Sequence, residues 1–196
     1  MKSRLPQHAL AVVGTYRMLL ALAGIIVVTD QVTKALIGSM MPVGTYALGP
    51  APAYAATPVA VIEGFFYMVH VTNEGAAWSL FDGHGRWLGA LGFVAIGLII
   101  AFRNALELYR REVQVAFGLI TGGIIGNMLD RLRFGHVVDF FDVHLGGLLQ
   151  HLNADLAGYR FPAFNIADSG ITVGVALFIL ISFLRKPREA ATVADV

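Results

Sequence analysis

The chain contains no cysteine, which excludes disulfides, thiolate nucleophiles and cysteine-held metals, so any chemistry must come from oxygen and nitrogen groups. Charge is also scarce: Asp, Glu, Lys and Arg make up 14% of 196 residues, and the net charge is +1. Neither a basic stripe nor a nucleic-acid motif is present, which argues against nucleic acid as a partner. No internal repeat or low-complexity tract is evident. What fills the chain is apolar, with 57% hydrophobic residues and a mean hydropathy of +0.69. A soluble domain of this size could not hide so much apolar surface behind so few polar residues. The composition is that of a membrane protein.

Four apolar runs, at 16–37, 87–102, 113–132 and 164–184, approach the roughly 20 residues that cross a bilayer as a helix. The second is the shortest. Lys2 and Arg4 ahead of the first run resemble the start of a signal peptide. The run is long, however, no small-residue cleavage site closes it, and Asp30 and Lys34 stand where cleavage would fall, so an uncleaved span is expected. Basic residues precede the first run (Lys2, Arg4, Arg17), join the second to the third (Arg103, Arg110, Arg111) and follow the fourth (Arg185, Lys186, Arg188). Such segments stay in the cytoplasm, which puts both termini inside and residues 38–86 and 133–163 on the other side. Arg86, Arg131, Arg133 and Arg160 run against this rule and call for local partners.

The expected fold is therefore an all-α integral membrane protein with four transmembrane helices, a single membrane domain over residues 1–196. Two extracytoplasmic additions are expected. Residues 42–60 are rich in Pro, Gly and Ala and read as a loop. The Val-, Phe- and Tyr-rich stretch that follows, interrupted by Gly64, predicts a small β-rich segment at the membrane surface. Phe140, Phe141, Leu145, Leu148, Leu149 and Leu152 predict an interfacial amphipathic segment.

Polar residues then converge on one level. Asp30 and Lys34 fall near the outer end of the first span, Asn127, Asp130 and Arg131 near that of the third, Asn165 and Asp168 open the fourth, and Asp139 lies just beyond the third. Ionisable groups at such depth are costly unless they face one another or a wet cavity. Each also has a plain structural reading. Asp30 and Lys34, four apart on a helix, suit an ion pair; Gly122 and Gly126 suit close helix contact; Asp130 and Arg131 suit interfacial charges. His136, His144 and His151 lack the paired spacing of a zinc helix, so no metal is expected, and His70 and His84 read as surface or interfacial residues.

Asp139 and Asp168 are harder to place as structure alone. Asp139 lies between Val137–Val138 and Phe140–Phe141, and Asp168 among Phe164, Ile166, Ala167 and Ile171. Desolvation raises a carboxyl pKa in such surroundings. Two acids that meet can share one proton, the requirement for acid and base work by a chemically identical pair. A structural pair capped by helix ends is the alternative.

"TDQVTK" at 29–34, "NEGAAWS" at 73–79, "GGIIGNMLDR" at 122–131, "VVDF" at 137–140 and "FNIADS" at 164–169 together resemble the lipoprotein signal peptidase (signal peptidase II) family, over most of the chain. The resemblance implies a bacterial inner-membrane aspartic peptidase with four spans and an outward-facing site. Its substrate would be a prolipoprotein, cut just before a diacylglyceryl-modified cysteine. It implies Asp139 and Asp168 as the catalytic dyad and no cofactor or metal. Asn127, Arg131 and Asn165 match positions that shape the site and hold substrate, while Asp30, Lys34, Asn73, Gly75 and Ala76 match supporting positions. Membrane lipid is the expected surrounding partner and a monomer the expected state. Two departures stand out: Trp78 where Phe is more usual, and a long 141–163 segment.

Rival readings are testable. A serine–lysine peptidase built on Ser39 and Lys34 has its residues five apart, on different helical faces, and lacks a nucleophile elbow. A presenilin-type protease lacks its Gly-x-Gly-Asp signature. A proton-coupled transporter using the same buried acids, or a scaffold knitted by them, would show no proteolysis.

Overall fold

Helices form where apolar residues run, and small residues decide how these helices meet. The computed structural model describes residues 14–44, 57–75, 85–149, 151 and 158–184. The predicted positions Ala76, Trp78, His84 and Leu152, and the flanking charges Lys2, Arg4, Arg185, Lys186 and Arg188, lie outside the described residues. Helix α1 is Arg17–Met40, α2 Gly85–Ala101, α3 Arg111–Phe134, α4 the single turn Gly146–Leu149, and α5 Ile166–Leu184. Helices α1, α3 and α5 are long and apolar enough to cross a membrane, while the apolar α2 is shorter. Many large side chains on α1, α2 and α5 point outward, among them Val28, Leu36, Leu91, Leu98, Val173 and Leu180, as lipid-facing residues do.

Helix α3 is central and packs against α1, α2 and α5. Its glycines make this possible. A Cβ at Gly118 or Gly122 would stand 3.0 or 2.8 Å from the Leu19 or Ala23 carbonyl of α1, and one at Gly123 would collide with the Ala167 carbonyl of α5. From the other side, a Cβ at Gly174 of α5 would lie 2.6 Å from Ala116 O. Backbones approach closely along both seams, as membrane helix packing favours. At Gly126 the missing side chain makes room for a carboxylate instead, since a Cβ there would lie 2.7 Å from Asp30 Oδ2.

The two ends of the bundle differ in kind. At one end Leu19, Leu108, Val113 and Phe117 form an apolar core, and Gln114 Nε2 donates to Thr15 O at 2.8 Å, tying α3 to the start of α1. At the other end polar residues are buried as well: Asp30, Lys34, Asn127, Asp130, Asp139 and Asn165.

A small antiparallel sheet caps the polar end. Strand β1 (Val59–Ile62) and strand β2 (Phe66–Asn73) flank a turn in which Gly64 has φ +74°, a conformation that only glycine adopts freely. Strand β3 (Val137–Val143) pairs with β2, Asn73 facing Val137 and Phe66 facing Val143, with a bulge between Met68 and Val71. Gly135, left-handed at φ 82°, caps α3 and returns its N–H to Arg131 O, so the chain turns from α3 into β3 within a few residues. Residues 158–164 then run back along β3, with bridges Phe141–Phe164 and His144–Arg160.

The expected β-rich segment is thus present, with Gly64 at its turn. One expectation needs correcting: Phe140 and Phe141 lie in β3 rather than in an interfacial amphipathic piece, and Phe140 is fully buried. A short apolar run cannot be assigned to helix or strand by periodicity alone. Here "VVDFFDV" pairs along β2. Among the described residues of the expected amphipathic segment, the single turn α4 is helical.

Candidate active site

Asn165 immediately precedes α5, and it closes a reciprocal cap with Asp168. Asn165 Oδ1 accepts the Asp168 N–H at 3.0 Å, and Asp168 Oδ2 accepts the Asn165 N–H at 3.2 Å. This is the capping-box arrangement with Asn and Asp in place of Ser and Glu. The Ala167 N–H, another orphan of the first turn, donates to Asp30 Oδ1 at 3.0 Å. Asp168 is therefore fixed at the positive end of a helix dipole, where negative charge is favoured.

Asp139 arrives from β3. Its Oδ1 accepts from Asn165 Nδ2 at 2.7 Å and its Oδ2 from Asn73 Nδ2 at 3.1 Å. Asn73 is itself fixed, because its Oδ1 accepts the Gly75 N–H at 3.1 Å. Burial and the nearby Asp168 charge push the Asp139 carboxyl up to about 7, against the opposing hydrogen bonds from Asn73 and Asn165 and the charge of Lys34.

Behind the two acids lies a buried charge cluster. Lys34 Nζ lies 2.8 Å from Asp30 Oδ2 and 2.8 Å from Asp130 Oδ2, and it donates to Asn127 Oδ1 at 3.0 Å. An ammonium can only donate. That contact orients the Asn127 amide so that its Nδ2 donates to Asp168 Oδ1 at 2.7 Å. Asn165 Nδ2 also lies 3.2 Å from Asn127 Oδ1. The hydrogen-bond chain thus runs from Lys34 through Asn127 to Asp168, and through Asn165 to Asp139.

Asp139 and Asp168 open onto one cavity of about 530 Å³. Asn127 and Arg131 of α3, Asn73 and Val137 of the sheet, Phe161–Phe164 of the return segment, and Ser169, Ile171, Thr172 and Val173 of α5 line it. Arg131 reaches across to donate from Nη2 to Gly75 O at 2.9 Å. Of the sequence-predicted residues, Asp139, Asp168, Asn127, Arg131 and Asn73 line the cavity, and Asn165 links the two acids from beneath. Asp30 and Lys34 form the i,i+4 ion pair and stand behind the cavity, while Gly75 holds Asn73 and Arg131.

Sequence reasoning left Gln31 unmentioned and gave Asp130 only a bland role. Gln31 Nε2 donates to Asp130 Oδ1 at 2.9 Å, and its Oε1 accepts from Arg133 at 3.1 Å. The placement of Gln31 directly after Asp30 was the available signal. Arg133 and Arg160, which ran against the charge rule, have partners in Gln31 and Asp142. Ser39 donates its hydroxyl to Leu36 O at 2.8 Å, and Lys34 is engaged by Asp30, Asp130 and Asn127, which leaves the serine–lysine pairing without support. Among the described residues no group of three or more His, Asp or Glu side chains is gathered to hold a metal ion.

Comparison with known proteins gives the arrangement a context. The family model described as Signal peptidase (SPase) II matches residues 22–184. A lipoprotein signal peptidase of Desulforapulum autotrophicum is 37% identical over 161 residues, 79% of this chain and 85% of that protein. Those of Paraburkholderia phymatum and Burkholderia multivorans are 35% and 38% identical, over 90% and 87% of this chain and 93% and 90% of theirs. A bacterial membrane enzyme solved by the in meso method at 2.3 Å resolution superposes with a TM-score of 0.67 at 31% identity, covering 88% of this chain and 93% of the other. A second, at 1.9 Å resolution, gives a TM-score of 0.65 at 32% identity, covering 86% and 93%. The match across nearly the whole membrane-embedded chain places it in the signal peptidase II family: this protein is a membrane peptidase of that family.

Proposed function

We propose that the protein removes signal peptides from bacterial prolipoproteins, cutting on the N-terminal side of a diacylglyceryl-modified cysteine, with Asp139 and Asp168 as the catalytic pair. The observation that carries this reading is the shared cavity in which both acids are held by one asparagine, Asn165, within a chain of the signal peptidase II family.

In this mechanism the pair holds one proton between its two carboxyl groups. Asp139, held up to about 7 by burial, keeps the proton, and Asp168, at the positive end of α5, carries the charge. Asp168 takes a proton from water as the water attacks the scissile carbonyl, and Asp139 hydrogen-bonds and protonates the carbonyl oxygen. Collapse of the tetrahedral intermediate passes a proton to the leaving amine and restores the pair. Arg131 and the amides of Asn73 and Asn127 position the peptide and the developing oxyanion. Ala76, a supporting position by the family resemblance, lies outside the described residues.

The same reading makes α2 the fourth span beside α1, α3 and α5, in a single membrane domain with both termini cytoplasmic and the sheet and dyad at the outer face. The exposed Arg103 and Arg111 at the opposite, apolar end support that orientation. The cavity continues past Ile171 and Thr172 to Val173, which is 56% exposed on the outer face of α5. A signal helix can lie in the bilayer along this face with its lipid tails in the surrounding membrane, and one copy of the chain suffices. No cofactor is required. Proton-coupled transport is not favoured, since the relatives are named as peptidases.

The test is cleavage of a diacylglyceryl-modified prolipoprotein by purified wild type, Asp139→Asn and Asp168→Asn, with folding checked in detergent. Cleavage by the wild type alone is expected. Activity in either folded variant removes that residue from the chemistry.

A further inference from the structure

Strand β3 carries two acids, and alternation along a strand sends residues three apart to opposite faces. Asp139 faces the cavity; Asp142 does not line it. Yet Asp142 is as buried as Asp139, at 2% exposure, and a buried carboxylate needs partners. It has two. Arg160 Nη2 donates to its Oδ2, and His144 Nε2 lies 3.0 Å from the same oxygen. The His144 ring packs on Tyr67 of β2 at 4.6 Å between centroids.

Arg160 belongs to the return segment that forms one wall of the cavity. The next residue, Phe161, donates its N–H to Val143 O at 2.9 Å, and Phe161, Pro162, Ala163 and Phe164 line the cavity. The two ends of this wall are held differently. At Phe164 the backbone exchanges hydrogen bonds with Phe141 in both directions, at 2.8 and 3.0 Å, and the ring packs on that of Phe141. Asn165 beyond it is fixed by Asn127, Asp139 and Asp168. At the other end Phe161 N–H donates to Val143 O and the Tyr159 carbonyl accepts from Leu145 and Gly146 at 3.0 and 2.9 Å, and the side-chain link to β3 between these backbone bonds is the Arg160–Asp142 ion pair.

We infer that Asp142 is a positioning residue, which through Arg160 holds the Phe161 end of the cavity wall against β3 and so sets the fit of the substrate. The inference rests on the peptidase reading for its consequence, though the clamp itself is independent of it. Because the Asn165 end is anchored separately, loss of the clamp acts on substrate fit and spares the proton chemistry. The asymmetry of burial also matters. The Arg160 side chain is 25% exposed and that of Asp142 3%, so removing the acid costs the partly solvated guanidinium little, whereas removing the arginine leaves a buried charge with His144 alone.

Two measurements on the full chain in detergent test this. Hydrogen exchange followed by mass spectrometry is expected to show, in Asp142→Asn, roughly tenfold faster exchange in a fragment covering 158–163, with fragments of α3 and α5 unchanged. Cleavage kinetics on a lipidated prolipoprotein are expected to show KM raised about tenfold with kcat within about twofold of wild type. Arg160→Lys, which keeps a cation for Asp142, is expected to stay near wild type. Arg160→Gln is expected to speed exchange and raise KM at least as far as Asp142→Asn and to lose more stability, since it leaves the buried Asp142 carboxylate with His144 alone. Unchanged exchange overturns the clamp. Faster exchange with unchanged KM overturns the positioning role, as does a fall in kcat that tracks the folded fraction. A wild type that folds but does not cleave overturns the peptidase reading instead, and the exchange measurement then still decides whether the clamp exists.

Discussion

The side-chain amide of Asn165 donates to Asp139 at 2.7 Å while the backbone N–H of the same residue donates to Asp168. One residue thus fixes the relative placement of both acids and also caps α5. Asn165→Ala removes the side-chain contacts to Asp139 and to the Asp168 N–H while its backbone N–H still faces Asp168, and a loss of about 100-fold or more in kcat is expected, as for other preorganised donors, together with about 1 kcal/mol of stability from the lost cap. Asn165→Asp keeps the cap, since aspartate caps a helix as well as asparagine does, but it sets a third carboxylate against Asp139 at a fully buried position. The variant should fail to cleave and should also unfold below the wild-type temperature, although its cap is intact.

On the proposed mechanism activity should fall as pH rises through about 7, where Asp139 loses the proton assigned to it. The hydrogen bond from Asn73 favours the ionised carboxylate. Asn73→Ala is therefore expected to move the alkaline limb of the kcat profile to higher pH. Activity that climbs through pH 7, with an acidic limb that Asn73→Ala moves to higher pH, would assign Asp139 the base role instead. Stability has its own sign. A carboxyl whose pKa is raised by folding contributes stability that declines from about pH 4, the unfolded value, to about 7, the folded one, and then levels off. Asp139→Asn should consequently be more stable than wild type above pH 7, measured by thermal unfolding in detergent.

Lys34 neutralises Asp30 and Asp130, each at 2.8 Å and all three nearly inaccessible. Lys34→Met leaves two buried carboxylates without a cation, a loss of about 3–5 kcal/mol. It also releases the Asn127 amide that faces Asp168. Adding Asp130→Asn to Lys34→Met should restore part of the stability, since one uncompensated charge disappears. It should not restore cleavage, because the Asn127 carbonyl oxygen then keeps only the 3.2 Å contact with Asn165 and loses the cation that orients it. Recovery of both together would make the cluster purely structural.

The spans and the converging acids were legible in the sequence because each rests on a local signal. A run of apolar residues needs no partner to be recognised, and an aspartate between valines and phenylalanines is anomalous on its own. Gly64 marked the β1–β2 turn for the same reason. Long-range pairing was not legible. Arg160 and Asp142 meet because residues 158–164 return along β3, a register that no local pattern specifies. Gln31 bridges Asp130 and Arg133 across two helices, and its residue type alone carries no sign of that. Phe140 and Phe141 were misplaced because a short apolar run fits a strand and a helix equally well.

The glycines of α3 allow packing to be separated from site geometry. A Cβ at Gly123 would collide with the Ala167 carbonyl, the residue whose N–H binds Asp30 and whose neighbour is Asp168. A Cβ at Gly174 would meet Ala116 O at 2.6 Å on the same α3–α5 seam, in the apolar half of the bundle. Overpacking of either kind costs about 1–3 kcal/mol, so both Gly123→Ala and Gly174→Ala should lower the unfolding temperature. Only the first pushes on the turn that carries the dyad, so at a temperature where both are folded Gly123→Ala should lose most of its kcat and Gly174→Ala should keep it. Gly24→Ala, where a Cβ meets nothing within 4 Å, is the control and should be silent or slightly stabilising. Equal kcat in the two seam variants would mean that the first turn of α5 yields without moving Asp168, and that its capping contacts, rather than the helix seam, hold the acid in place.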